Sequence, residues 1–158
     1  MNNKGFTLIE LLMVIVLLSI ITIIAIPIVG NALNISKERN YKILISNIKT
    51  AAKSYYEECS YNNESLGDSN CNINNKSMEF NLNKLVDLGY LSGNNECNTD
   101  DNVCSKNIKS PKGEQEDIGT CEIKITETTN NNGKVNYSII SKSTDSKCPT
   151  TADFEGED

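Results

Sequence analysis

Residues 6–29 form an almost unbroken apolar run, and a single carboxylate, Glu10, sits inside it. As a helix, a run of about 24 residues is roughly 36 Å long. The hydrocarbon core of a bilayer is about 30 Å thick, so the segment is long enough to span one. A carboxylate in apolar surroundings is costly unless something pairs with it. The only nearby cation along the chain is Lys4, on the far side of Gly5. A cut between Gly5 and Phe6 would create a new amino terminus, and on a neighbouring copy that amine is the natural partner of Glu10. Lys4, at the N-terminal side, points to an N-in, C-out orientation.

The stretch Lys4-Gly5-Phe6-Thr7-Leu8-Ile9-Glu10-Leu11-Leu12 resembles the class III leader and cleavage site of type IV prepilins and the related pseudopilins. Pro27 falls where many members of that family carry a proline, and Ser19 stands where glycine is common. The resemblance is specific over residues 4–29 and weak beyond them. It implies that a prepilin peptidase on the cytoplasmic side removes the leader, residues 1–5, and methylates the freed amine of Phe6. Gly5 would carry the cleavage requirement, and Glu10 would set subunit register.

By the same resemblance the chain is expected to be a pilin, the structural subunit of a type IV pilus. It would be stored in the cytoplasmic membrane, then polymerised through its apolar helix into an extracellular fibre for adhesion, motility or aggregation. The implied partners are the peptidase, other pilin subunits and, before assembly, membrane lipid. Two readings within the family stay open: a pseudopilin of a type II secretion or DNA-uptake apparatus, and a minor tip pilin. A membrane-anchored domain that does not assemble explains the length of the run but not Glu10. An ordinary secretory signal fits less well, because its apolar core is roughly 7–15 residues long and closes on small residues.

The formal net charge of −6 argues against nucleic-acid binding through phosphate contacts. Six cysteines, at 59, 71, 97, 104, 121 and 148, all lie beyond the apolar run, on the expected outer side. An even count in a small extracellular domain reads as a disulfide framework. A zinc site is the competing reading and, without histidine, needs three or four thiolates. Cys121–Cys148 is the first candidate pair, resembling the C-terminal disulfide loop of many pilins. Cys59–Cys71 and Cys97–Cys104 follow as local pairs, with Cys59 an alternative partner for the second.

The expected fold is α+β: a long N-terminal helix packed on a small antiparallel β-sheet head. After residues 6–29, the segment 30–58 is amphipathic. Tyr41, Leu44, Ile45, Ile48, Ala51, Ala52, Tyr55 and Tyr56 recur in steps of three and four, while Lys37, Arg39, Lys42, Lys49 and Lys53 mark other faces. Pro27 and Gly30 are expected kink points, since proline removes one helical hydrogen bond. Asn34-Ile35-Ser36 offers a second break.

Residues 59–158 form the head. A polar stretch over 59–79 reads as a loop. A short helix is expected over 81–88, with Asn81 as N-cap and Gly89 just beyond its end. Residues 92–119 are turn-rich. A β-hairpin is expected over 120–141 around Asn132-Gly133, where both turn residues tolerate positive φ. Its inward face should cover the Tyr41–Tyr56 stripe. The tail from Ser143 is polar and held only through Cys148.

No enzyme is expected. The chain has no histidine to serve as base, and neither G-x-S-x-G nor a P-loop occurs. Glu57-Glu58 and Glu114-Gln115-Glu116-Asp117 read as solvated turns. No cofactor or metal is called for, because the acidic tail lacks the regularly spaced ligands of a calcium loop.

Overall fold

The computed structural model describes residues 5–62, 71–97, 104–112 and 116–155, with the side chains of 24–28, 62, 95–97, 104 and 105 outside the description. Two compact units divide it, residues 1–39 and 40–158. Helix α1, Leu8–Asn62, contributes to both.

In the first unit α1 has an apolar surface and no second layer. Its only described polar side chains between Leu11 and Ile23 are Ser19 and Thr22. Their hydroxyls donate to the carbonyls of Ile15 and Leu18, each at 2.7 Å. Such i−4 bonds satisfy a hydroxyl without leaving the helix. The chain stays helical through Asn34-Ile35-Ser36, so the break expected there is absent.

The second unit is built on the amphipathic stripe. Tyr41, Ile45, Ile48, Ala51, Ala52, Tyr55, Tyr56 and Cys59 are all buried, and Leu44 packs at their margin. Removing a large apolar side chain such as Ile48 from water contributes about 1.5–3 kcal/mol. Three strands cover the stripe: β1 (Ser77–Asn81), β4 (Glu122–Thr129) and β5 (Val135–Ser141), in the order β1-β4-β5 and antiparallel throughout. Register aligns Met78, Ile125 and Ile139 in one row across the sheet, all three buried. Between β1 and β4 lie helix α2 (Leu82–Asp87) and the two-stranded ribbon of β2 (Asn94–Cys97) and β3 (Cys104–Asn107). A last short helix, α3, spans Thr151–Glu155. The architecture is α+β, a long N-terminal helix with a small antiparallel sheet.

Four elements differ from the sequence expectation. β1 lies at the end of what read as a loop: Met78 and Phe80 alternate with Ser77, Glu79 and Asn81, but the run is only five residues long. The ribbon β2–β3 falls in the turn-rich stretch, and its polar residues give no apolar alternation to read. The tail is structured from Cys148 to Glu155, because Phe154 is buried in the core. The N-cap of α2 is Asn81, but its side chain makes no capping bond. The amides of Leu82 and Asn83 bond instead to the carbonyls of Cys121 and Gly119, at 3.0 and 2.8 Å.

The turns also differ. In the β4–β5 loop only Gly133 has positive φ, at 76°. Its amide bonds to the Asn130 carbonyl, and the Asn130 amide to the Lys134 carbonyl. This is a three-residue loop with glycine at the left-handed position. The turn with two positive φ values is Asn75-Lys76, at 49° and 59°. It is closed by reciprocal Asn74–Ser77 bonds of 2.8 and 2.9 Å and leads directly into β1.

Candidate processing and assembly site

Gly5, Phe6 and Thr7 precede the helix, and all three are exposed. The helix begins at Leu8 because Thr7 and Glu10 cap it reciprocally. The Glu10 Oε2 atom accepts from the Thr7 amide and from the Thr7 hydroxyl, each at 2.9 Å. In return the Glu10 amide donates to the Thr7 carbonyl at 3.1 Å and, more weakly, to the Thr7 Oγ1 at 3.4 Å. This is the S/T-x-x-E capping box, which fixes the first turn by satisfying amides that have no helical acceptor. The signal is present in the sequence as Thr7-Leu8-Ile9-Glu10.

The junction Gly5–Phe6 therefore lies just outside the helix. The Glu10 carboxylate stands one turn inside it, beside the chain that leads to Phe6. The side chains around Glu10 are large, apolar and uncovered. From Phe6 to Ile23 the large apolar groups are 49–89 % exposed. Water is a poor medium for so continuous a patch, which marks a surface to be covered. Among the described residues no helix is long and apolar enough to cross a membrane. Pro27 and Gly30 lie within α1, the side chain of Pro27 outside the described set.

In the head, disulfides join Cys59 to Cys71 and Cys121 to Cys148, with Cα separations of 5.3 and 5.7 Å. The first ties the last turns of α1 to the segment that enters β1. The second ties the start of β4 to the chain before α3. Cys97 and Cys104 stand opposite one another in the β2–β3 register, but their side chains, and so their pairing, lie outside the described residues.

Tyrosine–carboxylate contacts hold α1 to the rest of the head, Tyr56 against Glu127 of β4 among them. Tyr41 donates to Asp153 of α3 at 3.0 Å, Tyr137 of β5 donates to Glu57 at 3.1 Å, and Tyr90 donates to Glu58. Burial, then the bonded carboxylate, pushes the Tyr90 and Tyr137 hydroxyls up to about 12 and raises Tyr41 as well. Burial pushes the Asp153 carboxyl up, but the amide and hydroxyl of Thr150, the Tyr41 hydroxyl and the Lys112 ammonium outweigh it and hold the group below its ordinary value. Thr150 and Asp153 cap α3 as Thr7 and Glu10 cap α1, with Thr150 amide and hydroxyl bonds of 2.7 and 2.8 Å to Oδ2. Among the described residues no cluster of three or more cysteine or carboxylate side chains could hold a metal ion.

No curated protein and no solved structure matches the chain. The match that is found falls on the segment described above. Residues 1–26 fit the family model described as the prokaryotic N-terminal methylation motif, a motif that is the hallmark of type IV pilin and pseudopilin prepilins and that implies processing by a prepilin peptidase and assembly with other pilin-type subunits.

Proposed function

We propose that this chain is a pilin, a structural subunit of a type IV pilus. The precursor sits in the cytoplasmic membrane with its N-terminus inside and its head outside, residues 6–29 crossing the bilayer. Prepilin peptidase cuts after Gly5 and methylates Phe6. The apolar helices then leave lipid and bundle, bending at Pro27 and Gly30, with Glu10 of one subunit facing the Phe6 amine of the next. Heads form the fibre surface, stapled by disulfides. The single observation that carries this reading is the lone carboxylate, four residues from Phe6, on a helix surface that its own chain leaves uncovered. Hydrocarbon alone would cover the apolar groups, but it offers the carboxylate no cation.

The test is intact-mass measurement on sheared surface fibres, with imaging of a labelled head. We expect subunits that begin at Phe6 and carry one added methyl group, in long surface fibres. Retention of residues 1–5 in assembled material would refute the reading. Short structures confined to the envelope would replace the pilus with a secretion or uptake apparatus. Glu10→Ala should leave insertion intact, since the segment becomes more apolar, and should strongly reduce fibre yield. Removing one partner of a buried ion pair costs about 3–5 kcal/mol.

A further inference from the structure

We propose that Thr7 is a positioning residue for the Glu10 carboxylate during subunit assembly, an inference that rests on the pairing of Glu10 with a neighbouring Phe6 amine. A carboxylate accepts about four hydrogen bonds, and an amine entering from one side supplies only part of them. In an apolar bundle every unfilled site on a charged group is expensive. Thr7 fills two of them from within the same chain. Its amide and hydroxyl converge on one oxygen, Oε2, at 2.9 Å each. These are charge-assisted bonds, stronger than bonds between neutral groups. No Thr7 bond uses Oε1, so that oxygen is kept for the incoming cation.

The same contacts fix where the carboxylate stands. The hydroxyl both donates to Oε2 and receives the Glu10 amide, so the side chain of Glu10 folds back toward Thr7 instead of extending along the helix. That places the negative charge on the turn nearest the cleavage junction. Cleavage after Gly5 leaves this arrangement intact, because the Thr7 amide belongs to the Phe6–Thr7 bond and survives. The subunit therefore carries its carboxylate pre-oriented from the membrane into the fibre, and the amine meets a half-satisfied partner.

A purely structural cap makes a different prediction. A capping box works with glutamine at the third position as well as with glutamate, whereas ion pairing does not. The experiment compares four full-length variants in the producing cell: Thr7→Ser, Thr7→Val, Glu10→Gln and Glu10→Ala. Fibre yield after shearing is measured against the pool of cleaved subunit in the membrane. We expect Thr7→Ser to assemble like the parent. Thr7→Val, of similar shape but without the hydroxyl, should lower the fibre-to-pool ratio at least about tenfold, the loss of one hydrogen bond to a charged group. Glu10→Gln should fail like Glu10→Ala. Normal fibres from Thr7→Val, or equal loss from Thr7→Ser, would overturn the role of Thr7 while Glu10→Ala still reports on the pairing. Normal assembly of Glu10→Gln would reduce the motif to a helix cap, and normal assembly of Glu10→Ala would remove the pairing itself.

Discussion

Lys76 and Gly93 are each set by backbone demands that their chemistry alone does not announce. Lys76 occupies the left-handed region at φ 59°, a conformation that costs an L-residue roughly 1–2 kcal/mol and glycine little. Its ion pair with Glu127, at 3.3 Å and exposed, offsets little of that. Lys76→Gly should therefore stabilise the head by about 0.5 kcal/mol after the extra chain entropy of glycine is counted. A urea midpoint that falls would contradict it. Gly93 has no positive φ, but an added methyl group would lie 2.6 Å from Val86 Cγ1 and 3.2 Å from Lys106 Cβ. Val86 is fully buried and has nowhere to move. Gly93→Ala should cost about 1–3 kcal/mol, as overpacking does; an unchanged midpoint would show that β3 shifts freely away from α2. The uncovered apolar run with Glu10 inside it was legible from residue types alone. The convergence of the Thr7 amide and hydroxyl on one oxygen of Glu10 was not, because it depends on which atoms meet.

Elements with a strong period were legible and those without one were not. The stripe from Tyr41 to Tyr56 declares its buried face in every step, and the alternation Cys121, Ile123, Ile125 does the same for β4. β1 has only two inward residues, the β2–β3 ribbon has polar ones, and α3 has the single apolar anchor Phe154. Tertiary contacts decide these three. The missed helix did leave a mark, since Thr150-Thr151-Ala152-Asp153 repeats the spacing of the box at Thr7. α3 is held by that cap, by the Tyr41 bond and by Cys121–Cys148, and the disulfide closes a sequence separation of 27 residues. Chain-entropy arguments give such a bridge about 3–4 kcal/mol. Cys148→Ser paired with Cys121→Ser should lower stability by that order. It should also speed amide exchange at Thr151–Glu155 and Tyr41 well before the β4–β5 ladder opens. Equal protection of α3 in the double variant would show that the cap and Phe154 suffice.

At the scale of the molecule, an uncovered apolar helix and a head closed by its own core share one chain, and the head carries groups of its own that respond to pH. The head contains phenols that donate to carboxylates on or against α1, among them Tyr41 to Asp153, Tyr90 to Glu58 and Tyr137 to Glu57. Each must keep its proton for the bond to exist. In the unfolded chain a tyrosine ionises near pH 10. Burial first, and the adjacent carboxylate second, hold Tyr90 and Tyr137 up to about 12 in the fold, and Tyr41 is raised by the same causes. Native proton affinity thus exceeds unfolded affinity, so the contribution is fully present below about pH 10 and is lost as pH rises toward about 12. The detergent-solubilised chain should show a urea midpoint that falls across that window, with tyrosinate absorbance from the native state lagging behind that of the unfolded chain. Tyr90→Phe together with Tyr137→Phe should flatten the fall, since phenylalanine has no proton to lose and leaves Glu57 and Glu58 able to turn to water. The comparison between variant and parent removes the background of lysines that titrate in the same range. A parent whose native Tyr90 and Tyr137 ionise at the ordinary value, or a variant with an undiminished slope, would place the alkaline sensitivity elsewhere than in the two bonds by which Tyr90 and Tyr137 fasten Glu58 and Glu57 of α1 to its head.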